Sequence, residues 1–254
     1  IEFLNGSIFI GGGPDMDRTD NWVRNGGVVN ISNSMLAPES GHFNNEVQFS
    51  TPDEMGGFFV GSSFNLIGEN SVRRIAQIDS DGQVTDFELN PSENFNLFSI
   101  RGLDFYNNMI YASNATEVMG IDLDGNKVNL NITEISDMWI LRTLIQDENL
   151  IVIGRADDED GNYNVTVKIV GLTNFDVLDF SPSIDHDILD EEFDVELKGD
   201  TLFYGGNFTS INGQELSNLV AFNINTGEIL EFSPEIDFSV QEIASYNDRL
   251  YVGG

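Results

Sequence analysis

Leu202-Phe203-Tyr204-Gly205-Gly206 returns at the end of the chain as Leu250-Tyr251-Val252-Gly253-Gly254, and the reading of the sequence turns on this phrase. It recurs as Ile8-Phe9-Ile10-Gly11-Gly12 and as Phe58-Phe59-Val60-Gly61-Ser62. Looser copies are Ile110-Tyr111-Ala112-Ser113 and Ile151-Val152-Ile153-Gly154. The first small residue of each copy falls at position 11, 61, 112, 154, 205 or 253. Consecutive copies are thus separated by nearly constant steps, which match the length of one four-stranded propeller blade. Matches inside the unit exclude coincidence. Phe180-Ser181-Pro182-Ser183-Ile184-Asp185 parallels Phe232-Ser233-Pro234-Glu235-Ile236-Asp237 one unit later. Gly61-Ser62-Ser63-Phe64 through Ile78 parallels Gly205-Gly206-Asn207-Phe208 through Phe222, about three units on.

Each unit reads as four short strands. In the fifth, Phe193-Asp194-Val195-Glu196-Leu197 alternates apolar and polar residues, as a half-buried strand does. Gly199-Asp200 turns the chain into Thr201–Tyr204, and a polar loop around Asn212-Gly213 follows. Asn218 to Phe222, the turn Asn225-Thr226-Gly227 and Glu228 to Phe232 complete the unit. Asn, Asp and Gly recur at the turns because they tolerate positive backbone angles. The expected fold is all-β: a β-propeller with about five four-stranded blades, each of roughly 42–51 residues, and the first hairpin of a sixth. The expected units of this single domain, 1–254, are roughly 1–52, 53–101, 102–142, 143–191, 192–239 and 240–254. The last hairpin stops before its outer strands, so a longer parent chain is expected, its remaining blades completing a ring of seven or eight.

The stretch from Leu202 to Asp237, LFYGGNFTSINGQELSNLVAFNINTGEILEFSPEID, resembles the delta-sixty repeat, a β-propeller repeat of bacterial surface and secreted proteins. The likeness is specific there and fair in 57–91, and the first unit departs most through its insertion Pro14 to Asn25. The resemblance implies an exported protein at the cell surface or outside the cell, of a kind that in some cases carries type IX sorting signals. It implies no shared catalytic residues. Quinone-dependent dehydrogenase propellers share the Thr226-Gly227-Glu228 turn but follow it with a docking tryptophan, whereas Trp22 and Trp139 follow no such turn. The Ser-x-Asp-x-Gly-x-Thr-Trp boxes of sialidase propellers are absent.

Charge narrows the partners. Forty-three Asp and Glu against 11 Lys and Arg leave −32, which repels nucleic acid and anionic lipid. There is no cysteine, hence no disulfide or thiolate metal site. No apolar run is long enough to insert in a membrane. The chain opens on Ile1 with no visible signal peptide and reads as a mature or internal fragment. Six Asn-x-Ser/Thr triplets, at Asn5, Asn30, Asn114, Asn131, Asn164 and Asn207, would matter in a eukaryotic secreted protein, and several are expected by chance in a chain so rich in Asn, Ser and Thr.

Calcium is the cofactor expected if there is one. Hard cations take several oxygens from closely spaced Asp or Asn. Asp15, Asp17 and Asp20 offer this within the insertion, and Asp158 and Asp160 within the run Asp157–Asn162. Neither matches the EF-hand spacing, and a solvated hairpin tip also accounts for the second. Asp79-Ser80-Asp81-Gly82 and Asp122-Leu123-Asp124-Gly125 occupy regular turns and read as turn chemistry. His42 and His186 are the only histidines; His186, flanked by Asp185 and Asp187, reads as a loop residue rather than a general base. Phe64, Phe87, Phe180, Phe208 and Phe232 fall at repeat positions and read as core. Trp22, beside Asp20 and Arg24 in the insertion, is the candidate ligand-binding aromatic.

The function expected is therefore non-enzymatic: a binding or scaffolding module whose partner is a protein or glycan at the bacterial surface, in adhesion or a related role. A carbohydrate-active or other hydrolytic enzyme using channel carboxylates is the alternative from another class. A structural spacer in a large adhesin is the third.

Overall fold

Strand-forming stretches alternate with tight Asn, Asp and Gly turns, and in the computed structural model every element among the described residues is a β-strand. It describes residues 2–4, 7–11, 26–30, 35–36, 43–146, 148–157, 163–178, 182–186, 193–232, 234 and 236–254. These fall into two compact units, Ile1–Leu130 and Asn131–Gly254.

In the first unit, β1 (Glu2–Leu4), β2 (Ser7–Gly11), β3 (Gly26–Asn30) and β4 (Met35–Leu36) make a four-stranded antiparallel sheet. Next come β5 (Phe49–Pro52), β6 (Phe58–Gly61), β7 (Leu66–Ile67), β8 (Asn70–Ser71) and β9 (Ile75–Ile78). Of these, β5, β6 and β9 form a three-stranded sheet, and β7 and β8 a separate small hairpin. A second four-stranded sheet follows, of β10 (Gly102–Tyr106), β11 (Met109–Ser113), β12 (Val118–Asp122) and β13 (Lys127–Val128).

Strand β6 is buried on both faces, and its two-residue period divides the core. Phe58 and Val60 pack with Phe9, Phe43 and Phe64. Phe59 faces the other way, into Leu97, Ile100, Leu103 and Ile110. Gly61 lies on the side of Phe59, where a Cβ would come within 2.9 Å of Leu103 Cδ2.

The second unit opens on three long strands, β14 (Trp139–Gln146), β15 (Asn149–Asp157) and β16 (Tyr163–Gly171), followed by β17 (Ile184–His186). Then come β18 (Phe193–Lys198), β19 (Thr201–Gly206), β20 (Phe208–Ile211), β21 (Gln214–Glu215) and β22 (Leu219–Asn223). A last hairpin pairs β23 (Glu242–Tyr246) with β24 (Arg249–Gly253). One apolar cluster, including Ile153, Val167, Leu202, Tyr204, Phe208 and Phe222, fills most of this unit.

The small residue of the repeated phrase acts here as in the first unit. A Cβ on Gly205 would lie 2.3 Å from Val240 Cγ1, so only glycine lets the following repeat approach this closely.

The β-propeller expected from the repeat length is corrected by these sheets. The strands form open antiparallel sheets of two to six members, and among the described residues no ring of like four-stranded blades is present. The reasons are local. The segments expected to be fourth strands shrink to single bridges, Ile78↔Val84, Val170↔Val177 and Phe222↔Ile229. The expected loop around Asn212-Gly213 is instead the β20–β21 hairpin. That hairpin leaves its own repeat: β20 pairs with β17, giving the six-stranded order β14-β15-β16-β17-β20-β21. The matching bridge in the first unit is Phe43↔Ile67, which ties the β7 hairpin to the segment before β5.

Candidate functional site

The acidic turns of the repeat are closed on themselves. Asp79 Oδ1 accepts the N–H groups of Asp81 and Gln83, both at 2.9 Å. Asp122 accepts Asn126 N–H at 2.7 Å and Asn126 Nδ2 at 3.0 Å. These bonds, the backbone one foremost, hold the Asp122 carboxyl below the usual carboxylate range. The glycine that ends each turn is left-handed, at φ 81° for Gly82 and 78° for Gly125.

Among the described residues two carboxylates, Asp53 and Asp194, are buried, and both are bonded. Asp53 accepts Met55 N–H at 2.8 Å, Gly57 N–H at 2.7 Å and Gln77 Nε2 at 2.7 Å. Asp194 takes Arg142 Nη1 at 2.7 Å on one oxygen and Ile243 N–H at 2.8 Å on the other. Tyr204 is enclosed in the core of the second unit, and burial pushes its phenol well up, so it stays neutral.

Asp15, Asp17, Asp20, Trp22, Asp158, Asp160 and His42 lie outside the described residues. His186 stands in β17 opposite Phe208, a strand residue rather than the loop histidine expected. Among the described residues no three of His, Asp or Glu gather as a metal site.

A different site emerges in the first unit, with no counterpart in the sequence reading. A depression of about 290 Å³ is lined by Asn65, Arg73, Arg74, Glu93, Asn94 and Phe98, with Val72, Leu89, Phe95 and Leu97 behind them. The turn from β8 into β9 puts both arginines there. Arg73 bridges to Ile75 across Arg74, whose backbone is left-handed at φ 71°. A non-glycine residue in that region is uncommon and costs energy. Arg74 Nη1 donates to the Ser63 carbonyl, and its guanidinium carbon lies 5.8 Å from the centre of the Phe98 ring. Arg73 is exposed and gives Nη1 to the Asn90 carbonyl at 3.2 Å. Phe98 is 82% exposed, the most open large hydrophobic residue described.

Both arginines bond only to carbonyls and a ring. Neither has a carboxylate partner among the described residues. The adjacent pair Arg73-Arg74 was a signal available in the sequence. Its aromatic partner Phe98, two turns further along the chain, was not.

No protein family matches the chain, and no curated protein matches it either. Among solved structures it is similar to the computationally designed Ika8 protein, at 15% identity and a TM-score of 0.55, covering 99% of this chain and 79% of that one. The designed Ika4 protein is more distant, at 16% identity and a TM-score of 0.40 over 61% of this chain and 84% of that one. At such identity the Ika8 likeness speaks to the fold alone.

Proposed function

We propose that the chain is a non-enzymatic binding module of an exported bacterial protein, and that the depression around Arg73, Arg74 and Phe98 is where it holds a glycan. One observation carries this reading: a largely exposed aromatic ring, backed by a guanidinium, at the rim of a cavity lined with amide and charged side chains. An exposed ring is costly to keep in water, and it offers a flat apolar face to the C–H side of a sugar. Asn65 and Asn94 supply amide donors and acceptors for hydroxyl groups. The volume sits at the lower end of small-ligand pockets, suited to one or two sugar rings rather than to a folded partner. The resemblance to a repeat of exported proteins supports placing the module at the cell surface.

The test is a glycan array read with the wild-type chain and with Phe98→Ala. Retention by the wild type, lost in the variant and without turnover of the bound glycan, is the expected result. Cleavage of a retained glycan, or retention that ignores Phe98, overturns the reading.

A further inference from the structure

Resting on that reading, we infer that the sugar held at this site carries a carboxylate, and that Arg73 is the residue that selects it. A guanidinium has five N–H donors in a planar fork, and Arg73 spends one on the Asn90 carbonyl. That bond fixes the side chain while the rest of the fork stays open at the rim. Carbonyls satisfy N–H groups without neutralising the charge. Two positive charges therefore stand side by side with no bonded carboxylate at either, although Glu93 lines the same depression. A carboxylate fits this fork as a bidentate partner.

The two arginines divide the work. Arg74 is anchored to Ser63 and lies under the Phe98 ring, so it positions the stacking face. Arg73, exposed, faces the ligand's charge. A hexuronate presents both halves of the complement on one ring, a C–H face for Phe98 and a carboxylate at C6 for Arg73. An acidic peptide supplies the charge without the flat face. The −32 field of the chain further disfavours a dense polyanion, so the fitting ligand is a glycan with isolated uronate residues.

The experiment is calorimetric titration with three probes: a neutral tetrasaccharide, the same tetrasaccharide with its terminal ring oxidised to the uronate, and a glutamate-rich decapeptide. The wild type is expected to bind the uronate about tenfold more tightly than the neutral sugar, the ratio a charged hydrogen-bonding partner supplies. Arg73→Gln is expected to abolish that ratio, bringing uronate affinity down to that of the neutral sugar. Arg74→Gln is expected to weaken both sugars alike. Arg73 is exposed, and an unchanged melting temperature in Arg73→Gln verifies that the fold is kept.

Equal affinity for both sugars, or a ratio that survives Arg73→Gln, overturns the uronate inference and leaves the glycan reading standing. Preference for the decapeptide overturns the inference in favour of a protein partner. Binding of none of the three, together with an empty glycan array, overturns both.

Discussion

The two units differ in whether aromatic rings meet across the joints between their repeats. In the first, rings meet across the joints: Phe9 lies 5.8 Å from Phe58, and Phe59 lies 5.2 Å from Phe105, each pair drawn from successive repeats. In the second, the ring pairs described, such as Phe193–Tyr204 and Phe203–Phe232, stay within one repeat. Its joints are crossed by polar side chains reaching backbone groups about one repeat away. Gln146 Oε1 accepts Leu197 N–H at 2.7 Å, Asp194 Oδ2 accepts Ile243 N–H at 2.8 Å, and Glu196 Oε1 accepts Ser245 N–H at 3.0 Å. Lys198 Nζ reaches the Asn247 carbonyl in the same sense.

Ring contacts are broad in geometry and reward filled volume. A hydrogen bond to one N–H is directional and fixes which residues face each other. Ring pairs thus add filled volume at the joints of the first unit, where Asn44 also accepts the N–H groups of Asn65 and Leu66 and Asn114 donates to the Asn96 carbonyl, whereas no described ring pair crosses a joint of the second.

Substitutions can break each half of this contrast. Phe59 is fully buried, with Phe87 edge-on at 5.2 Å as well as Phe105. Phe59→Ala is expected to cost about 4 kcal/mol in chemical denaturation. If volume is what counts, Phe59→Leu recovers more than half of that loss. A leucine as damaging as alanine would mean that ring geometry matters in the first unit after all.

For the second unit the corresponding position is Asp194. Removing its carboxylate leaves Ile243 N–H unbonded and deprives Arg142 of its partner, although that arginine's side chain is 41% exposed and can rehydrate. Asp194→Ala is expected to cost about 3 kcal/mol, followed by the fluorescence of Trp139 in the same unit. Filling the space does not help where direction governs, so Asp194→Leu should be no more stable than Asp194→Ala. Rescue by leucine would erase the distinction between the units.

The smallest expected effect is at a turn and depends on pH. Asp122 has its folded-state pKa lowered by the bonds from Asn126. Its stabilisation is therefore complete above the unfolded carboxylate value of about 3.9 and is lost as pH falls through the lower folded value. Asp122→Asn should flatten that acid limb of a melting-temperature profile by less than about 1 kcal/mol, because the side chain is partly exposed. An unchanged limb would show that the turn holds through its backbone bonds alone.

Much of this was written in the repeat. The match between the second and fifth repeats pairs Phe64 with Phe208 and Ile67 with Ile211, and each pair occupies matching places in the structure. The Asp and Gly turns were legible too, because φ and Asx bonding are local properties. Alternation says which face a strand buries, but it does not name the strand's neighbour. Nothing in Phe208–Ile211 reveals that, besides its hairpin with β21, it pairs with β17 of the preceding repeat, and so the propeller expectation failed at that step. The depression escaped for a like reason: Arg74 and Phe98 belong to different turns, and only folding brings the ring over the guanidinium.

The polar joints of the second unit have a consequence for how such a chain can change over generations. In the bonds from Gln146, Asp194, Glu196 and Lys198 the partner is a main-chain N–H or carbonyl, which nearly every residue type provides, while Arg142–Asp194 and Ser245 Oγ–Glu196 add side-chain contacts. Leucine, isoleucine and serine all serve as the receiving residue, at Leu197, Ile243 and Ser245. A joint built this way constrains one letter rather than two. Neighbouring repeats are then free to drift, to be duplicated or to be exchanged without a matched change next door. Gly205 at the anchor, with Asp194 and Glu196 as acceptors on the first strand, is what the fifth repeat offers the next.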